Sequence, residues 1–182
     1  MKGNRAVLTA IVVVILLIAG WWLFKRGSRG PSIDLVATFA TAQKQPPSGV
    51  AEIVDADLNG EKKRAIFTVP PTRLTWTLKV PDDGWLKVDL AMKPEAWEKE
   101  GNGVWFYVGV SDGHAYEELF SQHLDPYSTK SDRRWVPVMV DLSAYAGEEV
   151  GIVFNARTSA EKTPDDPRND MALWGAPEIV IR

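Results

Sequence analysis

Asp55, Asp57 and Asn59 place oxygen ligands at alternate positions ahead of Gly60, the spacing with which a calcium-binding loop begins. The pattern then fails. The position that should hold a bidentate Glu is Ile66, and Lys62, Lys63 and Arg64 bring positive charge to the same stretch. A polar turn between two strands is the favoured reading, and calcium is the one cofactor left open. His114 and His123 lack the further ligands that a zinc site needs. Glu95, Glu98 and Glu100, or Asp165 and Asp166, pair carboxylates, but in charged stretches without an apolar pocket to raise one pKa. With no Gly-x-Ser-x-Gly turn either, the residues name no reaction and point to a protein that binds and does not catalyse.

The tryptophans say more: the chain has 8. Trp76, Trp105 and Trp135 fall inside strand-like runs, where an aromatic packs a core or covers a sheet face. Trp97 and Trp174 lie beside loops, where an exposed ring can stack on a sugar or anchor a protein interface. With the polar loop residues Asp165, Arg168 and Asn169 they make up the candidate contact surface, packing being the competing role for both rings.

The elements that must position these residues are strands. Val136, Val138 and Val140 alternate, as do Val150, Ile152 and Phe154, around a turn at residues 142–147. The same period recurs at residues 74–80, 86–92 and 104–110, punctuated by Pro81-Asp82-Asp83-Gly84 and Ser111-Asp112-Gly113. Roughly eight to ten short strands with regular turns predict an all-β antiparallel β-sandwich, a jelly roll, over residues 50–182. Ahead of it, residues 27–49 read as a linker. Ile33, Val36, Phe39 and Ala40 share one stripe of a short helix there, although Ile33, Leu35, Ala37 and Phe39 also alternate as a strand would.

Residues 6–24 are apolar apart from Thr9 and Gly20, long enough for a helix across a bilayer core of about 30 Å. Trp21 and Trp22 suit the membrane interface, and Lys25 and Arg26 follow at once. A cleaved signal peptide would fit Lys2 and Arg5, but Ile18-Ala19-Gly20 lacks the pair of small residues that cleavage needs. Residues 1–26 are therefore expected to form a short tail and a retained transmembrane helix. Lys2 and Arg5 nearly balance Lys25, Arg26 and Arg29, so charge hardly fixes orientation. The short tail suggests a signal anchor: a single-pass protein of the cytoplasmic membrane whose sandwich is periplasmic or extracellular.

The absence of cysteine excludes disulfides and a lipid-modified start. The first 30 residues hold 5 of the 21 basic side chains and no acid, so the remainder carries 16 basic against 24 acidic groups, a balance of −8. That disfavours nucleic acid and anionic lipid as partners of the domain.

Four stretches carry a resemblance: Leu74-Thr75-Trp76; Val104-Trp105-Phe106-Tyr107-Val108-Gly109-Val110; Arg134-Trp135-Val136-Pro137-Val138 with Asp141-Leu142-Ser143-Ala144-Tyr145-Ala146-Gly147; and Ala172-Leu173-Trp174-Gly175-Ala176-Pro177. Residues 67–181 resemble the galactose-binding-like, carbohydrate-binding-module-like jelly rolls appended to secreted and surface proteins. The resemblance implies carbohydrate or peptide ligands held by loops at one end of the sandwich, often with a calcium bracing a loop. It specifies a fold better than a ligand. Two functions follow as expectations. The first is a single-span accessory subunit packed against other subunits of a membrane complex, by analogy with respiratory and photosynthetic assemblies. The alternative is a carbohydrate-binding module tethered at the cell surface, with a glycan as partner.

Overall fold

Alternating apolar positions become eleven strands among the described residues, which in this computed structural model are 32–159 and 166–182. The expected membrane span, with Trp21, Trp22, Lys25 and Arg26, lies outside them, as does Asp165. Among the described residues no helix is long and apolar enough to cross a membrane. In order the strands are β1 (Ile33–Asp34), β2 (Gln43–Gln45), β3 (Ala51–Leu58), β4 (Glu61–Thr68), β5 (Thr72–Lys79), β6 (Gly84–Met92), β7 (Val104–Ser111), β8 (Tyr116–Leu124), β9 (Val136–Asp141), β10 (Glu149–Arg157) and β11 (Ala172–Ile181). Every pairing is antiparallel. One sheet runs β3-β4-β11-β6-β9, with β1 beside the far half of β11; the other runs β2-β5-β10-β7-β8. The interleaved orders 4-11-6-9 and 5-10-7-8 are the paired Greek keys of a jelly roll.

The inner faces meet in one core. Trp174 stacks on Phe154 at 4.6 Å, and Phe106 and Trp76 meet this pair edge-on at 5.0 and 5.1 Å. The six-stranded sheet also carries an apolar layer on its outer face, where Ala65, Phe67, Ala91 and Leu173 are buried beneath Trp135, with Trp97 packed against them. The Trp135 indole donates to the Glu61 carbonyl at 3.0 Å, and its ring lies so close over Gly175 that an added Cβ would sit 2.6 Å from it.

One expectation changes, and the polar turn favoured at residues 55–60 forms. The helix over residues 33–40 does not form. Leu35 and Val36 are buried in the core, and the Leu35 N–H donates to the Pro177 carbonyl at 3.0 Å, so packing against β11 decides between two patterns that the sequence leaves open. Only a 3₁₀ turn remains, at Phe39–Thr41, and β2 follows as an edge strand. Residues 32–49 thus belong to the compact unit Ser32–Arg182 and are not a separate linker.

Asp55, Asp57 and Asn59 also do not converge. Asn59 and Gly60 have φ of 54° and 87°, the paired positive values of the two-residue hairpin turn that joins β3 to β4. Asp55 and Asp57 lie on one face of an extended strand, about 7 Å apart per two residues, whereas calcium draws its oxygens to about 2.4 Å. Each is also placed opposite a cation, Arg64 for Asp55 and Lys62 for Asp57. The Asp57 carboxylate accepts the Gly60 N–H at 2.8 Å, and the Asn59 amide donates to the Arg133 carbonyl at 2.7 Å. No group of three or more His, Cys, Asp or Glu among the described residues is arranged to hold a metal.

Candidate ligand-binding face

The loops at residues 93–103 and 125–135 and the described residues 166–171 gather at one end of the sandwich, where Trp97, Arg168 and Asn169 lie. Each is bonded to its own neighbours. Trp174 is 1 % exposed at the centre of the core, its indole N–H donating to Thr68 Oγ1 at 3.3 Å, and it offers no ring to a ligand. The cause is register: Trp174 pairs with Ile66 and Leu90, both core residues, and so faces inward with them. Trp97 is half-buried in the outer apolar layer. Its indole donates to the Met92 carbonyl at 2.9 Å, and its own carbonyl accepts from Arg133 Nη2 at 2.9 Å. Arg168 is forked onto Asp166 at 2.7 and 2.8 Å, with Glu100 3.7 Å away. Asn169, at φ 60°, donates to the Glu100 carbonyl at 2.9 Å. The hollow between these loops is about 10 Å³, room for one water.

The outer face of the five-stranded sheet is different. Because Val104, Phe106 and Val108 point into the core, Trp105 and Tyr107 point out, and register brings His123 beside Trp105. Trp105 lies 4.9 Å from His123 and 6.1 Å from Tyr107, with interplanar angles of 27° and 22°. The three rings are therefore stacked on one another in a strip along the sheet, Trp105 between His123 and Tyr107. The His123 ring is steadied by a 2.7 Å contact between Nε2 and the Asn102 carbonyl.

Beside the strip lies a groove of about 470 Å³, floored by Thr75, Thr77 and Gly151 and bounded by Gln43, Gln45, Arg73, Ser111, Asp112 and Glu149. Arg73 is opposite Asn155, and Asn155 is opposite Tyr107, so the groove and the strip share one lateral row of the sheet. Tyr116 lies across the sheet over Gly109, where an added Cβ would stand 2.5 Å from the ring and 2.3 Å from the Glu117 carbonyl. Arg73 sits over the Tyr116 ring at 5.0 Å, and Arg157 over the Tyr107 ring at 5.0 Å. Burial, then the charge of Glu118, pushes the Tyr116 hydroxyl pKa up, opposed by both arginines. Gly109→Ala should cost about 1–3 kcal/mol, because a backbone carbonyl of β8 has to give way. The urea midpoint measures it; an unchanged midpoint means that β8 and Tyr116 move aside freely.

This face is what a reading of loop residues misses. Its signal is the alternation in Val104-Trp105-Phe106-Tyr107-Val108, which commits two aromatics to the solvent side once the apolar set is committed to the core.

No protein-family profile matches the chain. It is 37% identical over 101 residues to an uncharacterized protein of Archaeoglobus fulgidus, an alignment covering 55% of this chain and 25% of that protein, so the chain spans about a quarter of that relative's length. Among solved structures it is similar to the CBM51 carbohydrate-binding module of Clostridium perfringens GH95 in complex with methyl-galactose, at 14% identity over 82% of this chain and 99% of that one, TM-score 0.55. It is also similar to the CBM51-2 and INT domains of Clostridium perfringens ZmpB, at 14% identity over 84% of this chain and 32% of that one, TM-score 0.58. The same two domains with GlcNAc in complex match at 13% identity, the same coverages and a TM-score of 0.55. At such identities the likeness is one of fold: an antiparallel β-sandwich of the carbohydrate-binding-module kind.

Proposed function

We propose that the domain is a non-catalytic glycan-binding module whose site is the outer face of the five-stranded sheet, held at a membrane surface by the apolar segment at residues 6–24. One observation carries the reading: the strip of Trp105, Tyr107 and His123 adjoins a groove lined by amide, hydroxyl and charged side chains. Flat rings cover the apolar faces of a sugar and polar side chains receive its hydroxyls, while a volume of this size suits a small ligand. Sandwiches of the same fold, solved with methyl-galactose and with GlcNAc, support it.

An accessory subunit would need an unfilled apolar surface for its neighbours. The outer face of the six-stranded sheet, the natural candidate, already holds its own apolar layer under Trp135. Among the described residues the exposed large apolar side chains are Val50, Ile53, Tyr116, Tyr127 and Met139.

The test is a glycan array followed by calorimetry on the full chain in mild detergent. Trp105→Ala is expected to weaken binding at least tenfold, as loss of a central aromatic contact does. Trp97→Ala, at the loop end, should leave it within about twofold. Binding lost in Trp97→Ala and kept in Trp105→Ala would move the site back to the loops; no glycan bound at all would end the reading.

A further inference from the structure

Arg73 and Arg157 stand on the proposed glycan face with no carboxylate of the described residues paired to either. Each of Lys62, Lys63, Lys87, Arg133 and Arg168 has a carboxylate within 4.0 Å, but among the described residues Arg73 and Arg157 have none. They are near one another. Arg73 on β5 is opposite Asn155 on β10, and Arg157 lies two residues further along β10 on the same side, which makes the two arginines diagonal neighbours about 7–8 Å apart at the backbone. Both act on the Tyr116 hydroxyl, as does Tyr107, so the two cations and two phenol rings form one cluster.

Arg73, half-buried, and Arg157, exposed, each hold their guanidinium 5.0 Å from a phenol ring, within cation–π reach of Tyr116 and Tyr107. A guanidinium fork meets a planar carboxylate in two parallel hydrogen bonds, and two such forks side by side make a site for one carboxylate. The cluster also lies where a bound sugar chain would pass, because Arg73 bounds the groove and Arg157 is opposite Trp105 in the aromatic strip.

We propose that this face selects acidic glycans, taking the carboxylate of a uronic acid residue between Arg73 and Arg157; the proposal rests on the glycan-binding reading above. The acidic balance of the domain works against an anionic ligand at long range. Charges more than about 8–10 Å away are screened at physiological ionic strength, so the preference is set locally, by Arg73 and Arg157 against Glu118 beside Tyr116, and should weaken as salt is raised.

The experiment is calorimetry on the full chain in mild detergent with four matched oligosaccharides: uronic-acid-containing, the same after reduction of its carboxyls, sulfated, and neutral. The uronic-acid form is expected to bind at least tenfold tighter than its carboxyl-reduced counterpart. That ratio should fall to near one in the R73Q/R157Q double variant, and R157K, which keeps the charge but loses the fork, should fall between. Circular dichroism checks that the variants fold. Equal binding of the native and reduced forms, or a preference that survives in R73Q/R157Q, overturns the proposal while Trp105-dependent neutral binding keeps the wider reading alive. Tighter binding of the sulfated form overturns the carboxylate assignment. If no oligosaccharide binds, both fall.

Discussion

Trp174→Ala is expected to destabilise the domain by about 3–5 kcal/mol, the usual range for removing a large aromatic from a filled core. The ring is 1 % exposed, stacked on Phe154 and met edge-on by Phe106, and it ties the two sheets together because β11 lies in one and β7 and β10 in the other. Ala also leaves the Thr68 hydroxyl without the indole donor. Against a total of about 5–15 kcal/mol, this is enough to leave part of the population unfolded at 37 °C. Trp174→Phe keeps most of the ring contact and should lose less than half as much. Urea unfolding of the full chain in detergent reads both. A Trp174→Ala variant with an unchanged midpoint but abolished glycan binding would return this residue to the contact surface, and the packing argument with it would be wrong.

Why Trp174 reads as a loop-side residue in the sequence is plain from its neighbours. Ala172, Leu173 and Trp174 are all buried, on both faces of β11, since an apolar layer covers the sheet outside as well as inside. A strand buried on both sides loses its period-two pattern, and nothing in Ala172-Leu173-Trp174 then tells the core face from the other. Strands buried on one side keep the pattern, so Leu74 and Trp76 on β5 or Val138 and Val140 on β9 announce themselves. The turn at Asn59-Gly60 is equally legible, because its backbone demand is local.

The candidate site is legible only in pieces. Alternation places Trp105 and Tyr107 on one face, but Gln43, Arg73, Gly109, Tyr116 and Asn155 come from five strands whose lateral order no local pattern contains. Antiparallel register alone sets Arg73 against Asn155 and Asn155 against Tyr107. A grouping of that kind is a property of the folded sheet. The loop residues Trp97, Arg168 and Asn169 share one end of the sandwich, but each is bonded to its own neighbours, Met92 and Arg133, Asp166, and Glu100, and the hollow that Arg168 and Asn169 line is too small for a sugar.

Asp170, beside those loops, supplies the other large effect. Its side chain is buried at 2 % exposure and neither carboxylate oxygen has a hydrogen-bond partner among the described residues. Desolvation, followed by the charge of Asp166, pushes its pKa up to about 7. The folded state therefore holds this proton more tightly than the unfolded chain, whose Asp titrates near 3.9. Since stability falls with pH wherever the folded state binds more protons, the cost of Asp170 is absent below about pH 4, grows as pH rises toward 7, and is complete above it. At pH 8 it is on the order of 3–4 kcal/mol. Asp170→Asn removes the titration and keeps the shape. The variant should unfold at the same urea concentration as the parent at pH 4 and at a clearly higher one at pH 8, with most of the gain arriving between pH 5 and 7. An equal gain at pH 4 would trace the effect to packing, and a loss at pH 8 would mean that the ionised carboxylate has a partner which stabilises it.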